Sequence, residues 1–323
     1  MNRGRFLETR GTTELGAAAR IELPDLARAA PGVRRFYPLG YPVDFTANSE
    51  RALEAASKLW GSWPMIFDCP VLSIDIQIHP GPQPTGVQRF EARAGCLRFS
   101  CDESNVAEFD VARRTGRLSA GSEALDDELC FRHHWLETLV LTALDSVFFT
   151  PLHAACIAAN GSGTLLCGDS GAGKSTLAYA CARGGWTLVS DDAVHLAPGP
   201  GRVGVGGSNK IRLREGSRAL FPEISARQAI RAPNGKRTIE IDCSDLGFRT
   251  ARHARIDRCV FLERRRGPVR VNSLPVRDAI HYFLKYLHPR ETARAERHLR
   301  EVLKRDPMLL KYEHVDDARE ALA

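Results

Sequence analysis

The stretch Gly168-Asp169-Ser170-Gly171-Ala172-Gly173-Lys174-Ser175 matches G-x-x-x-x-G-K-[ST] in full. It constrains the fold more than any other feature, because the pattern functions only between a strand and a helix. Its flanks meet that condition. Residues 163–167 form a short apolar run, and 175–183 read as a helix stopped by Gly184 and Gly185. Three glycines let the backbone turn its N–H groups inward as an anion-binding nest. The helix starting at about Lys174 adds its positive end. In such a loop the lysine reaches the β- and γ-phosphates, and the hydroxyl of Ser175 faces Mg2+. The sequence therefore predicts a nucleoside triphosphate site held by Gly168 through Thr176.

Residues 186–190 read as the next strand, ending in Asp191-Asp192. Adjacent strands would bring this pair near the phosphates. Two neighbouring carboxylates titrate as a coupled pair and divide their work. One would bind Mg2+, directly or through water, and the other would accept a hydroxyl proton. Upstream, residues 151–158 read as one strand containing His153, which is placed to orient an aspartate or contact the γ-phosphate. Strand, glycine loop, helix and strand together predict an α/β unit with its site at the carboxyl ends of the strands.

Length and composition bound the rest. A chain of 323 residues suffices for one large or two ordinary domains. With 43% hydrophobic and 26% charged residues, its composition is that of a soluble globular protein. The nine cysteines include no C-x-x-C pair, and several lie in apolar runs. Reduced core thiols in a cytoplasmic protein are expected, not a zinc site. The first ten residues lack the apolar run of a signal peptide. The most apolar helix, near 129–149, carries Glu137 and Asp145 and is too short to span a membrane. Residues 251–323 hold 17 Lys/Arg against 11 Asp/Glu, so the formal charge of +6 resides in the tail. That balance would suit an acidic partner or nucleic acid. A solvated, arginine-rich helical surface is the plainer reading, and nucleic acid is not the expected partner.

The first part of the chain reads as a smaller α+β domain over 1–125, ahead of a nucleotide domain over 126–323. Pro24, Pro31, Pro38 and Pro42 interrupt its start. Asn48 is expected to cap a helix running to about Trp60. Residues 71–78 alternate as a half-buried strand, 87–93 and 96–101 follow as strands, and 106–119 read as a hairpin turning at Thr115-Gly116. A helix over 127–149 carries a wide apolar stripe and is expected to pack on the nucleotide domain. Beyond the aspartate pair, strands are expected at 210–214, 238–242 and 259–262. Helices are expected at 276–287 and 291–304, with a turn at 233–237.

The order of His153, the loop Gly168 to Ser175, and Ser190-Asp191-Asp192-Ala193-Val194 resembles the catalytic domain of HPr kinase/phosphatase, a bacterial P-loop serine kinase related in fold to phosphoenolpyruvate carboxykinase. The resemblance is tight over about 45 residues and loose over 150–320. It implies an ATP- and Mg2+-dependent kinase acting on a hydroxyl, in first place a serine, of a peptide or protein. It further implies Lys174, His153, Asp191 and Asp192 as catalytic residues, with Asp191 as base and Ser175 and Asp192 at the metal. The family assembles as hexamers, which makes a homo-oligomer the assembly to expect. Two departures mark a divergent paralogue. The family's Glu-[Ile/Val]-Arg-Gly segment is missing, leaving Lys236 or Arg237 to supply its positive charge, and the N-terminal region does not look like the family's own. The alternative reading is a P-loop ATPase or a nucleotide-binding regulatory module without phosphotransfer. The leucine-serine-glycine signature of transport ATPases is absent from the sequence.

Overall fold

The computed structural model describes residues 32–84, 88–93, 95–207, 209–231, 237–287 and 291–323. Pro24 and Pro31, the starts of the strand expected at 87 and the turn expected at 233, Lys236 and the helix-stopping Pro289 lie outside these residues. The fold is mixed α/β and contains several sheets.

The first sheet is built from β1 (Gly32–Phe36), β2 (Val43–Ala47), β3 (Leu72–His79), β4 (Arg89–Arg93), β5 (Cys96–Ser100), β6 (Val106–Asp110) and β7 (Thr115–Gly121), with α1 (Glu50–Trp60) between β2 and β3. Its order is β1-β2-β3-β7-β6-β5-β4, parallel at β2–β3 and β3–β7 and antiparallel elsewhere. The alternation of 71–78 works as expected, since Leu72, Ile74 and Ile76 are all buried.

Two local expectations fail for identifiable reasons. Ser49, not Asn48, occupies the N-cap of α1. The Asn48 amide instead clips the chain to β3, donating to Ile78 O at 2.9 Å and accepting from Ile78 N at 2.8 Å. The β6–β7 connection turns at residues 111–114, with Arg114 at φ 56°, while Thr115 and Gly116 belong to β7. Gly116 is there for space: an added Cβ would sit 2.6 Å from Ile74 Cδ1.

The helical stretch that follows consists of α2 (Glu128–Cys130), a π-helical turn (Phe131–Leu136) and α3 (Glu137–Val147). Its apolar stripe packs mainly into the core of the first sheet, in a cluster that also takes in Ala197 and Val205 from the later part of the chain. Phe131, Trp135, Leu139, Val140 and Leu144 share one cluster with Phe45, Ile74, Phe109 and Leu118. The sequence stripe reveals that a face is buried, but it cannot reveal against which sheet.

The second sheet carries β8 (Thr150–Leu152), β9 (Ala155–Ala159), β10 (Ser162–Cys167), β11 (Thr187–Ser190), β12 (Val194–Leu196) and β13 (Val203–Val205), with α4 (Lys174–Arg183) between β10 and β11. A small separate sheet, β14 (Lys210–Arg214), β15 (Ile230–Arg231) and β16 (Arg237–Asp242), runs in the order β14-β16-β15. The chain closes with β17 (His253–Arg264), β18 (Arg270–Ser273), α5 (Val276–Leu284), α6 (Thr292–Val302), β19 (Met308–Tyr312) and α7 (Val315–Leu322). β17 is longer than its apolar centre suggested. Its first half pairs antiparallel with β13, and its second half pairs parallel with β10 and β19. The order is β11-β9-β10-β17-β13-β12-β8, with β19 beside β17 and β18 beside β19.

Helices cover this sheet on both sides. On one, Leu177, Ala178 and Cys181 of α4 meet Leu310 and Tyr312 of β19 and Ala318 of α7. On the other, Ala279, Ile280 and Phe283 of α5 and Leu299 of α6 meet Leu165, Cys167 and Phe261. Arg294 of α6 reaches across to the end of α3, donating to the carbonyls of Asp145 and Ser146, and to Phe149 O at 3.1 Å. A cation there satisfies carbonyls that the helix end leaves unpaired. All nine cysteines are free thiols, five of them buried. Among the described residues, no helix is long and apolar enough to cross a membrane.

Candidate active site

The residues singled out by sequence converge at the carboxyl ends of β10 and β11. The expected route to this arrangement needs one correction. β11 is not the neighbour of β10, because β9 lies between them and is antiparallel to both. β10 and β11 still point the same way, so Asp191-Asp192 emerge on the side of the glycine-rich loop. The strand expected over 151–158 also breaks at His153-Ala154: β8 pairs with β12, and β9 pairs with β10 and β11. His153 occupies that break.

The loop between β10 and α4 can only be built with glycine at its end. Gly173 has φ 98°, and an added Cβ would lie 2.1 Å from Tyr312 Oη. That hydroxyl donates to Ala172 O at 2.8 Å, tying the loop to the end of β19. On the opposite side, the Gly168 N–H donates to Tyr282 Oη at 2.9 Å. Ser175 and Thr176 lie half-buried on the first turn of α4.

Lys174 is only 6% exposed. Its ammonium donates to Gly168 O at 2.6 Å and meets His153 Nε2 at 3.1 Å. An ammonium has no acceptor, so Nε2 must accept and the imidazole proton belongs on Nδ1. Nδ1 lies 3.3 Å from Asp192 Oδ1. Burial, and then the charge of Lys174, hold His153 below the usual histidine range, which keeps the ring neutral at pH 7. Burial likewise pulls Lys174 down, and the guanidinium of Arg214 adds to that, against the attraction of Asp192 and Asp169. The result is a polar chain from Lys174 through His153 to Asp192.

The two aspartates have different surroundings. Asp191 is 6% exposed, and its Oδ2 accepts the Arg212 N–H at 2.8 Å. Its carbonyl accepts from Ser175 Oγ at 3.3 Å. The Asp192 side chain is 59% exposed.

Sequence reasoning missed the groups at the rim. Asp169 accepts from Lys285 Nζ at 2.6 Å and from Tyr286 Oη at 2.7 Å. Those hydrogen bonds, Lys285 first, hold its carboxyl below the usual range. Tyr286 also packs edge-on against His153. Arg214 Nη2 donates to Ser170 Oγ at 3.1 Å. Arg237, expected to bring positive charge to the site, is instead engaged with Glu215 at 2.7 Å. Arg214 is the arginine at the loop. A signal for it existed: the alternation of 210–214 puts Lys210, Arg212 and Arg214 on one exposed face of β14.

Every oxygen donor present suits a small hard cation. Ser175 offers a hydroxyl, and the aspartate pair offers carboxylates. Mg2+ typically takes one or two carboxylates and completes its shell with water and phosphate oxygens. Among the described residues, no cluster of three or more His, Cys, Asp or Glu could hold a metal by itself.

No protein-family model matches the chain, and no curated protein matches it. Among solved structures, the chain has a distant likeness to the Hpr(Ser) kinase/phosphatase from Coxiella burnetii. The likeness is at 14% sequence identity and a TM-score of 0.28, over 54% of this chain and 96% of that one.

Proposed function

We propose that the protein is an ATP-dependent kinase that transfers the γ-phosphoryl group to a hydroxyl, in first place a serine, of a peptide or protein. The observation that carries this reading is the convergence of Lys174, His153, Asp191 and Asp192 around one glycine-rich loop. Lys174 and the loop N–H groups hold the phosphates. Ser175 and Asp191 would hold Mg2+, which offsets phosphate charge when bound. His153, kept neutral, positions Asp192 through Nδ1. Asp192 is exposed and so reachable by an acceptor hydroxyl, whose proton it takes. Asp191 is buried and fixed by Arg212 N, and it holds the end of β11 against Ser175. This division of the pair reverses the one that resemblance implies, and rests on the difference in exposure.

The test is incubation with Mg2+, γ-labelled ATP and a library of serine-containing peptides, for the wild type and Lys174→Ala. Label on a peptide hydroxyl, lost in Lys174→Ala, is the expected result. Release of free phosphate without any labelled peptide would support the ATPase reading, and tight ATP binding without turnover would support the regulatory module. Asp192→Asn should lower kcat more than Asp191→Asn; the reverse order would return the base to Asp191.

A further inference from the structure

β18 is placed unlike the other strands of its sheet. A strand in a packed sheet hides one face, or both, and exposes alternate residues at most. All four residues of β18 are exposed, as is every residue from Arg264 to Ser273. Among the described residues neither helical layer covers it and β19 is its one partner, which leaves its outer edge unpaired there. Val271 is 51% exposed and Val269 36%.

The same segment is strongly basic. Residues 263–273 contain Arg264, Arg265, Arg266 and Arg270 against the single carboxylate of Glu263. Glu263 faces Arg265 at 3.7 Å and Lys311 at 3.3 Å, and the side chains of Arg266 and Arg270 have no ion pair among the described residues.

Position completes the case. The Arg265 N–H donates to Tyr312 O, and Gly267 N to Glu313 Oε2, so the arginine loop crosses the end of β19. Tyr312 is the residue that holds Ala172 in the glycine-rich loop. Arg270 pairs with Lys311, so β18 begins at the same end of the sheet as the candidate active site. Three strand spacings, about 14 Å, separate it from β10.

From these observations we infer that the free edge of β18 binds an extended acidic peptide segment by strand addition. The peptide's backbone would complete the unpaired edge, its carboxylates would meet Arg266 and Arg270, and its apolar residues would cover Val269 and Val271. Charge selects this occupant over a second copy of the chain, because two such edges would set arginines against arginines. If the kinase reading holds, a peptide docked there is held within a few residues' reach of the site, which makes an acidic, extended segment next to the acceptor hydroxyl part of the substrate. The docking itself does not depend on that reading.

The experiment measures binding without nucleotide, so it stands or falls apart from phosphotransfer. A fluorescein-labelled nonapeptide alternating Glu and Val is titrated with the full-length protein by anisotropy. Its comparators are a Lys/Val peptide, the Glu/Val peptide N-methylated at alternate residues, and a labelled single-stranded RNA. Expected are saturable binding of the Glu/Val peptide alone, loss of at least about tenfold in R266E/R270E, and loss on N-methylation. Circular dichroism of R266E/R270E checks that the fold persists. Equal binding of the N-methylated peptide would overturn strand addition, binding unchanged in R266E/R270E would overturn the charge readout, and binding of RNA in place of the peptide would overturn the choice of partner.

Discussion

The two large sheets treat charge in opposite ways. Up to Phe149, the buried polar residues among those described are Asn105 and Ser119, neither of which ionises. Beyond it Lys174, Asp191, His195 and Asp257 are all buried. Burying a charge is costly unless it is paired, so such groups remain only where partners or function hold them. His195 and Asp257 have conventional partners: Asp145 at 2.7 Å for the first, and three arginines for the second, Arg202 nearest at 3.0 Å. Lys174 has carbonyls and a neutral histidine instead of a carboxylate. The first sheet is organised for packing. The second gives up some of that to keep one cation beside the glycine-rich loop.

The contrast can be broken first in the packing half. Phe109 is fully buried under the first sheet. Phe109→Ala should lower unfolding free energy by about 3–5 kcal/mol in denaturant titration. ATP affinity measured well below the melting point should stay unchanged; a parallel loss of affinity would mean that the two halves are not separable. Lys174→Ala should do the converse. Its ATP affinity by calorimetry should drop roughly 100-fold, about 2.7 kcal/mol, with the melting temperature unchanged or raised. A lowered melting temperature with intact ATP binding would make Lys174 a structural residue.

Finer effects separate the aspartates. Asp191→Ala leaves the part-buried Arg212 N–H without its acceptor and should cost about 1–3 kcal/mol of stability. Asp192→Ala, at an exposed group, should change stability by less than about 0.5 kcal/mol. Equal costs would remove the distinction drawn between them.

The smallest effect concerns pH. His153 titrates lower in the folded protein than in the unfolded chain. As pH falls below about 6.5, the unfolded chain takes up the proton first, so stability falls with pH there and recovers above it. Bound polyphosphate would offset the charge of Lys174 and raise His153. ATP binding near pH 6 should therefore take up a fraction of a proton, seen as a buffer-dependent calorimetric enthalpy, and His153→Ala should abolish it. Proton release on binding would contradict this account of His153.

Much of the candidate site's arrangement was legible because it is local. Gly168 to Ser175, the apolar run before it and the glycine pair after it lie within one strand–loop–helix unit, and local propensity is what a sequence displays best. Asp191-Asp192 were found for the same reason, although their route was misjudged: strand order is decided by distant pairing, and nothing in 186–190 announces that β9 will intervene. Arg214, Tyr282, Lys285, Tyr286 and Tyr312 reach the loop from β14, from α5 and the turn at its end, and from β19, with no spacing that binds them to it. β18, β19 and α7 passed unread because their apolar residues are few or interrupted by charges. The stripe on α3 was seen, but the first sheet that takes most of it was not, since amphipathicity gives a direction and not a partner.

The double pairing of β17 also sets an order of events for a chain leaving the ribosome. β10 pairs in parallel with a strand that follows it by roughly ninety residues, Leu165 opposite Cys259, and β19 comes later still. Such pairings bear a loop-closure cost before they return any stability, and they form slowly. The first sheet closes within the residues up to Phe149 and can assemble while the remainder is being synthesised. During that interval β9, β10 and α4 lack β17 and β19 beside them. The glycine-rich loop is thus among the last parts of the molecule to acquire its final shape, and newly made chains should gain resistance to protease in the first half well before they gain it in the second.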